Sequence, residues 1–426
     1  KMEQVFDYRK ICHIRYALEK NKQKKSNHII VCWLLFAIRM VGYLVRSPHT
    51  YKKVEDILVV IPSANNKRSI EPILDSMQNK NYTCVERLFS FLPMGKVYFR
   101  SIVNASGFLK FYRVSSKEEK QLIRRRFDEF ASARELYNVI GEFYDYNPNV
   151  KILIVSNDHE PFMRSFIFQA HNHGVKTLYS QHASVSEYFP PLVFDYSFLD
   201  GQESYLKYKS IDNIDGKVFL VGSPRFDVIT QLPRQISNLI GIAIKRKDDV
   251  GKILELINKL KANGYHNIVI RPHPQMMKQN PDLSIYTDIG CKVSNPLEEN
   301  PFSFNSRLSF LIAGASSIHL EAALMHIPSA IFSFRTNENN LDYYGYAKMG
   351  LTPLATSSEE VVMLINNPSL PSVETIRYYD AAFGTVYDGK SASIAGQFVD
   401  AFLEGKEEEI LDKLFVKSQE GYYKIK

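Results

Sequence analysis

Short aliphatic runs of strand length recur along this chain between segments of helical period. Asp56-Ile-Leu-Val-Val-Ile61, Lys151-Ile-Leu-Ile-Val-Ser156, Val175-Lys-Thr-Leu-Tyr-Ser180, Asp195-Tyr-Ser-Phe-Leu199 and Val218-Phe-Leu-Val221 form a first series. Leu239-Ile-Gly-Ile-Ala-Ile244, Asn267-Ile-Val-Ile-Arg271, Leu308-Ser-Phe-Leu-Ile-Ala313 and Pro328-Ser-Ala-Ile-Phe-Ser333 form a second. Runs this apolar leave no face for water, so they belong in a sheet covered on both sides. The helical stretches between them supply the covering layers and the crossovers that a parallel sheet requires. Ser116-Lys-Glu-Glu119 is a capping box opening a helix through about Ile140. His171 and His173 before Gly174 mark a helix C-terminus.

With 426 residues the chain has room for two such α/β domains. Leu232-Pro-Arg-Gln235 reads as the hinge between them. The expected organisation is a helical segment over 1–50, a first Rossmann-like domain over 51–231 and a second over 232–390. Helices over 391–426 would return to the first domain. Two sheets of this kind facing each other enclose a cleft, and ligands of open α/β sheets bind beyond the carboxyl ends of the strands. Residues just after each strand are therefore the candidates for chemistry.

The formal charge of +7 suits a phosphate-bearing substrate or an anionic lipid surface. Nucleic acid is not expected, because no recognition motif accompanies the charge. Cys12, Cys32, Cys84 and Cys291 are scattered without metal or disulfide spacing, which fits a reducing cytoplasm. Gly-x-Gly-x-x-Gly, Walker A, Asp-x-Asp, His-Glu-x-x-His and Gly-x-Ser-x-Gly patterns are missing. Dehydrogenase, P-loop, metal-dependent and serine-hydrolase readings lose their support accordingly, and neither metal nor cofactor is expected.

Ile29-Ile-Val-Cys-Trp-Leu-Leu-Phe-Ala-Ile38 is the most apolar stretch, extended past Arg39 to Val45 and preceded by Lys20, Lys22, Lys24 and Lys25. Arg39 near its middle argues against a span, which needs about 20 apolar residues. A helix lying in the membrane interface and a helix packed on the protein's own core fit equally well. Arg124-Arg-Arg126 reads as solvated helix surface.

Two constellations stand out. In Ile268-Val-Ile-Arg-Pro-His-Pro274 a strand runs directly into Arg271, His273 and Pro274, with a proline on either side of the histidine fixing its direction. An imidazole held there can bind a phosphate or hand a proton to a departing one. In Phe310-Leu-Ile-Ala-Gly-Ala-Ser-Ser-Ile-His-Leu-Glu321 a buried strand ends at Gly314, and Ser316 and Ser317 open a helix. Small residues and free backbone N–H groups there suit a phosphate, and Glu321 is one turn further in, placed for a ribose. Plain serine capping is the bland alternative.

Arg-Pro-His-Pro followed by a Ser-Ser helix start resembles the "HP" and "SS" motifs of bacterial sialyltransferases and polysialyltransferases. Gln181-His-Ala183, Phe198-Leu-Asp-Gly201 and Val221-Gly-Ser-Pro-Arg-Phe-Asp227 look like segments of capsule and teichoic-acid transferases, CDP-glycerol glycerophosphotransferases among them. The resemblance spans about Lys151 to Leu354. It implies a GT-B arrangement of the two domains, with the donor held by the second. It also implies that His273 contacts the donor phosphate and acts as general acid, that Ser316 and Ser317 hold that phosphate, and that Glu321 binds the ribose. The acidic pair that polysialyltransferases carry in the first domain is replaced here by Gln181-His182-Ala183. Asp158, His182 and Glu187 are the substitutes for the base, in that order, and His159 and Glu160 are candidates for orienting the acceptor. N-capping of the following helix is the competing role for Asp158.

The expectation is an inverting, metal-independent glycosyltransferase that moves a nonulosonic acid from a CMP-linked donor to a surface glycan or lipid-linked acceptor at the inner face of the cytoplasmic membrane. A CDP-glycerol or UDP-sugar transferase, a sugar-nucleotide epimerase, and a non-catalytic glycan- or nucleotide-binding scaffold are the rivals.

Overall fold

The computed structural model describes residues 6–20, 26–87, 90–233, 237–335 and 341–426. Lys22, Lys24 and Lys25 of the basic run, and Arg234 and Gln235 of the hinge, lie outside these. Six strands form first: β1 (Ile57–Val60), β2 (Tyr82–Val85), β3 (Ile152–Val155), β4 (Lys176–Ser180), β5 (Tyr196–Leu199) and β6 (Lys217–Leu220). Six more follow: β7 (Ile240–Ile244), β8 (Ile268–Pro272), β9 (Lys292–Val293), β10 (Phe310–Ala313), β11 (Ser329–Phe332) and β12 (Leu354–Ala355). The chain ends with β13 (Phe415–Lys417) and β14 (Tyr423–Ile425). Two compact units result, one from residues 1–224 with 392–426 and the other from residues 225–391.

The first unit holds an eight-stranded sheet in the order β13-β14-β6-β5-β4-β3-β1-β2, parallel except for β13. Its central strands are buried on both faces, as their aliphatic runs require. The closing helix Ser391–Leu403 packs Phe398 against Tyr196, Phe198 and Phe219, and Asp400 accepts from the Gln78 and Asn79 N–H groups. The capping box is present at Ser116 and Glu119, and Glu119 also takes Arg9 from the N-terminal helices. The helix expected to run to Ile140 is broken at Arg126, whose φ of −115° and ψ of 40° separate Lys117–Arg125 from Phe127–Tyr146. The three arginines at that break are half-buried rather than solvated, with Arg126 Nε donating to Glu129 at 2.9 Å.

The apolar stretch is a helix, Ile29–Arg46, the one helix among the described residues long and apolar enough to cross a membrane. Its inner face carries Trp33, Phe36 and Tyr43 against Tyr98, Phe108 and Phe127. Arg39 reaches Asp128 at 2.6 Å.

The second unit holds a six-stranded parallel sheet, β12-β11-β10-β7-β8-β9. Read from β9, the strands occur in the order of appearance 3-2-1-4-5-6, the doubly wound topology. The chain therefore reverses direction between β7 and β10, and the crevice beyond their carboxyl ends is the natural ligand position.

Candidate functional site

Both sequence constellations flank that crevice. β8 and β10 are the two neighbours of β7, so the loops that follow them stand about 10 Å apart with the end of β7 between. The His273 N–H donates to the Ile244 carbonyl at 2.8 Å, which ties the β8 exit to the β7 exit. His273 Nδ1 accepts from the Gln275 N–H at 3.2 Å. A neutral ring must then carry its proton on Nε2, leaving that N–H as the outward donor. His273 is exposed, yet the protein packed against it and then Lys245 hold its pKa below the usual histidine value. Pro274 opens the short helix that follows.

On the other side, Gly314 leaves β10 and the helix Ile318–Leu324 begins after Ser317. Ser317 makes no side-chain cap bond, so plain capping is not its role. A Cβ on Gly314 would meet nothing nearer than the Phe332 carbonyl oxygen at 3.7 Å, which leaves the space beside it open to a ligand. Lys245, the first residue past β7, donates through Nζ to the Ala315 carbonyl and so lies between the two loops.

Arg271 is placed differently from the sequence expectation of nucleotide contact. It is buried, donating from one terminal nitrogen to Ser294 Oγ at 2.7 Å and from the other to the Glu299 carbonyl at 2.7 Å. Phe304 covers its guanidinium at 4.8 Å. Burial lowers its pKa, and the carboxylates of Glu299 and then Glu321 oppose that. In this arrangement Arg271 ties the end of β8 to the segment that follows β9, and Glu321 bears on it electrostatically.

His319 was not singled out by sequence reasoning. It is fully buried, with Nε2 3.1 Å from the Gly314 carbonyl and Nδ1 3.1 Å from Ser329 Oγ. Burial drives its pKa down to about 4. The neutral ring donates from Nε2 to the carbonyl, which can only accept, and accepts a hydrogen bond from the Ser329 hydroxyl at Nδ1. The glycine turn of the site is thereby fastened to β11. A Gly-Ala-Ser-Ser-x-His spacing carries no local signal for this, because the second partner comes from the next strand.

In the first unit the strand order reverses between β1 and β3, and Asp158 and His159 lie just past β3. Both are buried, and His159 Nδ1 is 3.1 Å from Asp158 Oδ1. The angles do not make that approach a hydrogen bond, and neither Asp158 oxygen has a hydrogen-bond partner among the described residues. The Arg164 terminal nitrogen is 3.9 Å from Asp158 Oδ2, and its Nε donates to the Lys10 carbonyl at 2.6 Å. The Tyr16 ring lies 4.3 Å from that of His159, and burial, then Arg164, pushes His13 down to about 4. His182 follows β4, half-buried, its ring 5.8 Å from His159. Glu187 is exposed and Glu160 half-buried at the start of the Pro161–Asn172 helix. Asp158, His159 and His182 thus form one cluster, and exposed Glu187 lies two residues before Phe189, whose ring is 4.2 Å from that of His159. Arg164 joins the cluster from the Pro161–Asn172 helix, and His13 and Tyr16 from the N-terminal segment, the latter a tertiary contact without a sequence signature. Among the described residues no group of three His, Cys, Asp or Glu side chains is arranged to hold a metal ion.

No protein-family model matches the sequence. No curated protein is detectably similar to it. Solved structures are similar in chain course. A UDP-GlcNAc 2-epimerase from Methanocaldococcus jannaschii matches over 83% of this chain and 100% of its own, at 12% identity and a TM-score of 0.49. The Neisseria meningitidis UDP-GlcNAc 2-epimerase bound to UDP-GlcNAc matches over the same shares at 12% identity and 0.48. A ugt transferase from Siraitia grosvenorii in complex with UDP matches over 84% of this chain and 95% of its own, at 11% identity and 0.40. What this chain does is read from its own residues.

Proposed function

We propose that the chain is a GT-B-type glycosyltransferase using a nucleotide-linked sugar, with the donor phosphate received at the end of β7 in the second unit. One observation carries this reading. The Nε2–H of His273 and the Ser316-Ser317 helix start flank Lys245 at the reversal point of the sheet, and the Ser317 hydroxyl makes no cap bond to its own helix. Three hydrogen-bond donors and one cation around an open glycine turn suit a phosphate. His273, protonated when the donor phosphate is bound, gives its Nε2 proton to the phosphate oxygen and returns to neutral as the sugar–oxygen bond breaks, and the acceptor hydroxyl oxygen forms the new bond at the same carbon. Its proton goes to a base that we assign to Asp158, His182 or Glu187, with His159 and Glu160 orienting the acceptor. No step in this scheme uses a metal.

The Arg-Pro-His-Pro and Ser-Ser pair supports a CMP-linked nonulosonic acid as donor and a surface glycan or lipid-linked acceptor. Thermal stabilisation by CMP, CDP, UDP and GDP, on wild type and His273→Ala, tests it. Stabilisation by CMP above the others, lost in the variant, supports the CMP donor. A preference for CDP or UDP moves the reading to a CDP-glycerol or UDP-sugar transferase. A response to no nucleotide, or one indifferent to His273, removes the donor site.

A further inference from the structure

The Ile29–Arg46 helix presents two unlike faces. Its inner face is packed as described above. Its outer face is a stripe of Ile30, Leu34, Ile38, Val41 and Val45, at helical spacing, with Ile38 67% and Val45 81% exposed. The helix runs about 27 Å, so the stripe is long. Arg39, the one charge within the helix before its last residue, is paired with Asp128 of the helix Phe127–Tyr146.

The neighbouring helix Met94–Val103 lies antiparallel to it, with Gly95 against Leu44 and Tyr98 stacked on Phe36 at 4.3 Å. Both helices rest on Phe127–Tyr146, so their remaining faces point the same way. That second helix adds exposed Phe99, Ile102 and Val103, and the Ser106–Val114 helix adds Leu109 and Val114. Monomeric proteins rarely leave so large an apolar patch uncovered.

The charges carried by the three helices themselves are of one sign: Arg39 and Arg46, Lys96 and Arg100, Lys110 and Arg113. Between Glu19 and Glu55, and again between Glu86 and Glu118, the chain contains no acidic residue. Lys22, Lys24 and Lys25 precede the apolar helix in sequence, Arg46 ends it, and exposed Lys110 and Arg113 stand on the Ser106–Val114 helix. Two copies of such a face would meet with like charges opposed, whereas a bilayer of anionic lipid offers apolar depth under a negative surface.

We infer that these three helices form a membrane-docking face for anionic lipid, with the Ile29–Arg46 helix lying in the plane of the interface. Its packed inner face keeps it from being surrounded by lipid. The inference is independent of the donor assignment.

Flotation of the full chain with vesicles tests it, using phosphatidylcholine alone and phosphatidylcholine with about 30% phosphatidylglycerol. The wild type floats with the anionic vesicles and not with the neutral ones. Leu34→Glu with Ile38→Glu lowers the floated fraction about tenfold, and Lys110→Glu with Arg113→Glu lowers it several-fold. All four positions are exposed, and an unchanged melting temperature without lipid confirms that the variants fold. The inference is overturned if the wild type does not float. It is overturned equally if the apolar pair leaves flotation unchanged while ~0.5 M salt abolishes it, since that is surface adsorption alone. A lipid-free dimer that Leu34→Glu with Ile38→Glu converts to monomer would also overturn it, making the face a self-interface.

Discussion

His319 Nε2 donates to the carbonyl of Gly314, five residues earlier, across 3.1 Å in a fully buried setting. The bond fastens the turn after β10 from within its own helix, and Ser329 fastens His319 in turn. Burial, against the pull of the carbonyl, keeps the ring neutral.

Stability should therefore depend on pH through His319. Its folded pKa of about 4 lies below the ordinary value near 6.5, so the unfolded chain binds the proton more readily. The contribution is intact above about pH 6.5 and falls away as pH drops towards 4, by as much as ~3 kcal/mol. His13 adds a loss over the same window in the first unit. Urea melts followed between these limits, on wild type and His319→Gln, check this. A His319→Gln profile as steep as that of wild type would assign the dependence elsewhere.

Nucleotide binding should take up protons. Packing and Lys245 keep His273 largely neutral at pH 7 in the free protein, and a phosphate placed against Nε2 favours the charged ring. Affinity for CMP should rise as pH falls from about 8 to 6.5, by no more than tenfold per unit. Calorimetry in buffers of different ionisation enthalpy reads the proton directly, and His273→Ala should abolish the uptake.

Asp158→Asn separates a catalytic carboxylate from a structural one. Neither oxygen has a hydrogen bond to lose, but the carboxylate is the counter-charge of buried Arg164. The amide should therefore lower stability by on the order of a few kcal/mol whichever role Asp158 has, and activity is read well below the variant's melting temperature. If Asp158 is the base, transfer falls by about 100-fold or more while nucleotide stabilisation persists. Intact transfer in Asp158→Asn with loss in His182→Ala would give the role to the histidine, whose ring is nearer solvent.

Gly95→Ala should loosen the apolar helix. A Cβ there would stand 2.8 Å from the Leu44 Cα, a backbone atom that cannot rotate aside. Overpacking of this kind costs about 1–3 kcal/mol, read as a lower urea midpoint.

Nine strands were legible because runs such as Ile57–Val60 and Phe310–Ala313 have nothing to offer water on either face, whereas β2, β9 and β12, short strands at sheet edges, were not. Nor were β13 and β14. Three residues each, with lysines among them, they form by pairing at a sheet edge and have no period of their own. The break at Arg126 was hidden too, since the residues around it are good helix formers on both sides. At the donor constellation the positions of His273, Ser316 and Ser317 after strands could be read directly. The commitment of Arg271 to Ser294 and Glu299 could not, because both partners lie beyond the next turn of the chain. The surroundings of Asp158 and His159 were equally out of reach, since Arg164 approaches the first and Tyr16 the second only in the folded unit.

β14 pairs with β6 across some two hundred residues of sequence, and the whole second unit is threaded between them. On a ribosome the second unit is finished before the first, although the first is begun earlier. Until Tyr423–Ile425 emerges, β6 is an unpaired edge, with Phe219 lacking its stacked partner Tyr423. The nascent chain thus carries a completed insert inside a host that is still open, and a stall before Tyr423–Ile425 emerges would leave that host exposed to chaperones and to other unpaired strands.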